Sequence, residues 1–141
     1  EFAKEVVWEE RIAPLQNQVY LLGKQHYRIH RLVNKVDVVI TDSPILLCDI
    51  YAQDWLEDDD IFNSLVHKLH NQFNNINFFA NRVKPYREKG RYHTEDESKN
   101  IDDKIIEILD KRGYPYYLID GNAEGAIEAT NIILNKLKMK E

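Results

Sequence analysis

The chain has 141 residues, 43% of them hydrophobic and 30% charged, with a formal net charge of −5. That is the composition of one ordinary globular domain rather than a disordered tail, and the acidic balance argues against specific or duplex nucleic acid as a default partner. A single cysteine, Cys48, excludes an intrachain disulfide or a cysteine zinc cluster and fits a reducing, cytoplasmic compartment; no apolar run approaches the ~18 residues of a membrane-spanning helix.

In chain order, residues 1–13 place Phe2, Val6 and Val7 on one helical stripe. The chain opens without Met and inside this amphipathic pattern, so the expectation is a chain that has lost its beginning. Pro14 can restart a helix in its first turn. Residues 15–35 then read as a long helix, with Leu15, Val19, Leu22, Ile29 and Val33 at three-, four- and seven-residue spacings. The run Asp37–Thr41, "DVVIT", predicts a short strand covered on both faces. After Asp42-Ser43-Pro44 a short helix is expected in "ILLCDIYAQ", and the acids of "WLEDDD" are placed to start the next helix. That helix, residues 60–73, shows Ile61, Leu65, Leu69 and Phe73 on one face.

Residues 76–81 predict a second strand. The stretch that follows, 82–98, is polar, carries Pro85 and Gly90, and is long enough to be a lid or binding loop. A helix with Ile101, Ile105 and Leu109 inward is stopped by Gly113 as a left-handed cap. Residues 114–120 predict a third strand, Gly121-Asn122 a turn, and 123–138 a final helix with lysines in its last turn. Strands alternating with helices predict a single α/β domain, a three-layer parallel sheet with helices on both faces. Ligands of such sheets bind beyond the carboxyl ends of the strands, and all three predicted ends are polar: Thr41-Asp42-Ser43, Asn81-Arg82 and Asp120-Gly121-Asn122.

Three groups could carry chemistry. Asp42, at a strand end, can hold Mg²⁺ through water or accept a proton from an attacking hydroxyl; it can equally form an Asx-turn or a cap before Pro44. Ser43 is the better cap, which leaves Asp42 freer. Arg82, Lys84, Arg87, Lys89 and Arg91 gather five cations in ten residues of an acidic protein. Guanidinium forks suit phosphate oxygens, whereas any one of these cations alone reads as solvated. Gln18 and Gln25, seven apart, share a helix face that could read a substrate's polar edge or simply be solvated. The helical pairs His26/His30 and His67/His70 lack the third ligand a zinc site needs, and Cys48 reads as a core residue.

The segments "VDVVITDSPILL", "NFFANRVKPYREKGRYHTEDES" and "YYLIDGN" together resemble the P-loop kinase-like AAA-type ATPases of tailed phages, similar to the kinase domain of nicotinamide riboside kinases. The pattern from Arg82 to Glu97 is the most specific piece. The resemblance implies an ATP- and Mg²⁺-dependent kinase or ATPase acting on a nucleoside- or nucleotide-like small-molecule acceptor, in the host cytoplasm if phage-encoded, with no membrane partner and with oligomerisation left open. It implies Asp42 as the acid near Mg²⁺ and the acceptor, Arg82, Arg87 and Arg91 as lid residues on transferring phosphates, Gln18, Gln25 and Ser43 on the substrate side, and Gly121 and Asn122 beside the nucleotide base. The departure is the absence of G-x-x-x-x-G-K-[ST] from these 141 residues. The expectation is therefore a P-loop domain lacking its first two strands and inactive alone, with a non-catalytic nucleotide- or protein-binding module as the alternative.

Overall fold

The computed structural model describes residues 17–52, 56, 59–83 and 94–139. The expected first stripe at Phe2, Val6 and Val7 and most of the lid-like loop lie outside the described residues. The chain divides into two compact units. Among the described residues, the first holds 17–74 and Thr94, and the second holds 75–83 and 95–139.

The first unit is helical. Helix α1, Gln18–His30, starts where the Asn17 side chain accepts the Tyr20 N–H at 2.9 Å, the usual way to satisfy one orphan donor. It is shorter than expected: residues 31–35 form turns, and Asn34 takes φ 62, a left-handed conformation Asn tolerates better than most residues. Its buried face is Gln18 and Leu22, while Val19 and Val33 of the expected stripe are 52% and 44% exposed. Helix α2, Leu47–Ile50, is a single turn. Helix α3, Asp60–His70, is capped by Asp59, whose carboxylate accepts the Phe62 N–H at 2.6 Å.

The face of α3 differs from the expected one. Phe62, Val66, His67 and His70 are buried, while Ile61 is 82% exposed. Both stripes have helical spacing, and they differ by one residue, about 100° of rotation. The inward stripe is buried together with Ile45, Leu46 and Cys48 in the core of this unit, and α3 contacts α2.

The second unit holds strands β1, Asn77–Asn81, and β2, Tyr116–Asp120, with helices α4, Glu95–Lys111, and α5, Ala123–Lys138. The strands are parallel, in register from Asn77 opposite Tyr116 to Asn81 opposite Asp120. Helix α4 ends in a six-to-one, five-to-two hydrogen-bond pair: Tyr114 N–H to the Leu109 carbonyl at 2.8 Å and Gly113 N–H to Asp110 at 3.1 Å. Gly113 supplies the required φ of 67. Helix α5 packs on β2.

The expected first strand, Asp37–Thr41, is corrected. Residues 37–41 form no strand, and among the described residues β1 and β2 pair only with each other. A strand exists only where a neighbour completes its ladder. Without one, Val38, Val39 and Ile40 stand 38%, 40% and 84% exposed. Among the described residues the expected three-layer sheet is likewise reduced to a two-stranded one, and Leu118 of β2 is 57% exposed rather than covered. The parallel α/β order of the remaining elements is present. No helix among the described residues is long and apolar enough to cross a membrane.

Candidate functional site

In the first unit, the Asp42 loop is exposed and locally braced. The Ser43 N–H donates to Thr41 Oγ1 at 3.0 Å, and Ser43 Oγ lies 3.5 Å from Asp42 Oδ1. Ser43 does not cap α2, whose N-cap is Leu46 without a side-chain bond. Helix α2 begins through carbonyl contacts instead, Leu47 N–H to Pro44 and Cys48 N–H to Ile45, both at 3.0 Å. Asp42 thus presents a carboxylate with a hydroxyl beside it, a hard oxygen donor of the kind Mg²⁺ accepts while keeping most of its waters. Among the described residues, no group of three or more His, Cys, Asp or Glu could hold a metal ion by itself.

Gln18 and Gln25 do lie toward one face of α1. Gln18 is buried at 3% exposure, and Gln25 Oε1 accepts from Cys48 Sγ at 3.5 Å. That contact turns Gln25 toward α2. Burial, then the charge of Asp49, pushes the Cys48 thiol up to about 12. It therefore stays protonated and unreactive.

The sequence reading missed the adjoining polar cluster. His67 Nε2 lies 2.9 Å from Asp49 Oδ2, with side-chain exposures of 7% and 11%. One turn on, His70 is 4% exposed, and burial, then the neighbouring His67, lowers its pKa to about 4. This cluster ties α2, directly after the Asp42 loop, to α3. The sequence does carry a signal for it: His67 and His70 fall on the side of Phe62 and Val66, one residue away from the more hydrophobic stripe of Ile61, Leu65 and Leu69.

In the second unit, the two strand ends meet. Asn81 is opposite Asp120, and the Gly121 N–H donates to the Asn81 carbonyl at 2.9 Å. A Cβ on Gly121 would stand 2.8 Å from that oxygen, so the backbone crosses where only glycine fits. Asn122 is the N-cap of α5, its Oδ1 accepting the Gly125 N–H at 2.9 Å. Gly125 is tighter still: a Cβ there would lie 1.9 Å from the Asp120 carbonyl oxygen. A cleft of about 260 Å³ opens beside these residues, lined by Asn81, Asp120, Glu124 and Glu128 among others. Its carboxylates accept hydrogen bonds and repel a bare polyphosphate.

Arg82 leaves β1 and forms a two-point pair with Asp102 of α4, Nε to Oδ2 at 2.5 Å and Nη2 to Oδ1 at 2.9 Å. This is the fork geometry that phosphate would also use. Arg87 and Arg91 lie outside the described residues. Within the first unit, then, Gln25 is brought up against α2, the helix that follows the Asp42–Ser43 loop; within the second, Gly121 and Asn122 are brought to the end of β1, next to which Arg82 emerges.

A family model described as AAA domain matches residues 3–125. No curated protein matches the chain, and no solved structure does. With that match spanning most of its length, the chain belongs to the AAA domain family, P-loop NTPase-like domains of the nucleotide-binding ATPase kind.

Proposed function

We propose that this chain supplies the acceptor side and the lid of an ATP-dependent phosphoryl-transfer site acting on a nucleoside- or nucleotide-like small molecule. The observation that carries the reading is the AAA-domain match over residues 3–125. The polar ends of β1 and β2 agree with it, since α/β sheets bind ligands there. Asp42 would hold Mg²⁺ through water and take the acceptor's proton. Arg82, with Arg87 and Arg91, would balance charge on the transferring phosphate. Mg²⁺, when bound, would neutralise phosphate oxygens. Such transfer asks mainly for positioning and charge neutralisation.

These 141 residues contain no G-x-x-x-x-G-K-[ST], so the chain by itself is expected to turn over ATP negligibly. In the full-length gene product, Asp42→Asn and Arg91→Ala should each lower turnover by ~2–4 kcal/mol of transition-state stabilisation. Unchanged turnover in both would remove the assignment. A second reading, a nucleotide- or protein-binding module without turnover, is favoured by the commitments already described. The Arg82 fork is held by Asp102, and the Asn122 side chain is used in capping. ATP turnover in the full-length product decides between the two.

A further inference from the structure

Helix α1 has two opposite faces. Gln18 and Leu22 are buried, and Gln25 is half-buried and turned toward Cys48. On the other side, Tyr20, Lys24, Tyr27, Arg28 and Arg31 follow one another at four-, three-, one- and three-residue steps, which keeps them on one stripe. Tyr20 is 47% exposed and Tyr27 66%, and Arg28 and Arg31 are exposed. Lys24 Nζ sits 5.4 Å from the centre of the Tyr20 ring. Lys35 continues the charge beyond the helix.

The charge on this stretch differs from that of the chain. Four of the 19 Lys and Arg residues, and none of the 24 Asp and Glu, lie between Asn17 and Val36. Net charge is a property of the whole molecule, but a polyanion responds to the local field within about a Debye length. Among the described residues, none of Arg28, Arg31 and Lys35 is paired with a carboxylate.

We infer that this face of α1 is a docking surface for single-stranded nucleic acid, bound without sequence preference. The cations complement the phosphate backbone. The two tyrosines, about 10 Å apart along the helix axis, offer rings on which unpaired bases can stack. Cations interleaved with aromatic rings are what a single strand requires of a protein surface. Duplex bases already have both faces stacked and cannot use the rings. A membrane surface would ask for Leu, Phe or Trp on the exposed side, and here Leu22 is inside the unit.

The test is fluorescence anisotropy of a labelled oligo(dT) 12-mer titrated with the intact chain over a range of salt. Three phosphate contacts predict a slope of log affinity on log salt of about −2. Arg28→Glu with Arg31→Glu should flatten that slope by about 1.4. Tyr27→Ala should weaken binding about tenfold at unchanged slope, and Tyr27→Phe should restore it. The circular dichroism of each variant, on an exposed face, should match the parent. No binding of the single strand at low salt would overturn the inference. So would equal affinity for a duplex of the same length or for phosphatidylserine vesicles, or a Tyr27→Ala variant that binds as the parent does.

Discussion

The two units solve the same packing problem with opposite materials. The first buries polar side chains: Gln18, His67 and His70 are all buried, and Asp49 pairs with His67. The second buries few side chains and brings backbone against backbone at Gly121 and Gly125. A buried polar cluster holds helices by complementary partners and fails when one partner is lost. A glycine crossing holds them by the absence of a side chain and fails when one is added. The Asp42 loop depends on the first kind of support, through α2, and the Gly121–Asn122 turn on the second.

The comparison breaks most readily at Gly125. Gly125→Ala puts a Cβ against the Asp120 carbonyl, and backbone cannot give way as a flexible side chain can. The expected loss is at least ~3 kcal/mol in urea denaturation. A variant as stable as the parent would mean that α5 is not seated on β2 as described. Asp49→Ala should cost about 3 kcal/mol, because it leaves a buried imidazole without its carboxylate. The double variant Asp49→Ala/His67→Leu should recover part of that loss. If the two substitutions simply add, the pair does not hold α2 to α3.

The smallest effect is a pH dependence confined to the first unit. The folded His70 takes a proton only near pH 4, whereas its ordinary value is 6.5. The folded state therefore binds fewer protons between those values. Stability is full above pH 6.5 and falls as pH drops toward 4, with about 2 kcal/mol lost by about pH 5. His70→Gln should remove that slope, measured as urea midpoints across the window. A slope that persists in His70→Gln would assign it to other groups.

Much of the second unit was legible because its signals are local. Gly113 stops α4 with the hydrogen bonds its position predicts, Ile101, Ile105 and Leu109 face inward to differing degrees, and both strands fall within their expected spans. The tight role of Gly125 was not legible, since a glycine within a helix carries no sign of what approaches it. The first unit misled where the pattern was degenerate. Ile61-Leu65-Leu69 and Phe62-Val66-His70 are equally spaced stripes, and hydrophobicity favours the one that the structure leaves more exposed. The run 37–41 reads as a strand by composition, but pairing decides whether it is one. Of the candidate site, the polar strand ends were visible in the sequence, whereas the partners of Gln25 and Arg82 and the use of Asn122 as a cap were not.

By itself, then, the sequence determined where α3 and α5 start and where α4 stops, because caps, turns and glycine stops act over a few residues. It determined the family, through motifs that lie along most of the chain. Only the tertiary structure decided which face of α3 turns inward, which carboxylate meets His67, and whether Asp37–Thr41 becomes a strand. Each of those depends on a partner distant in sequence, and burial, pairing and close approach have no meaning until that partner is in place.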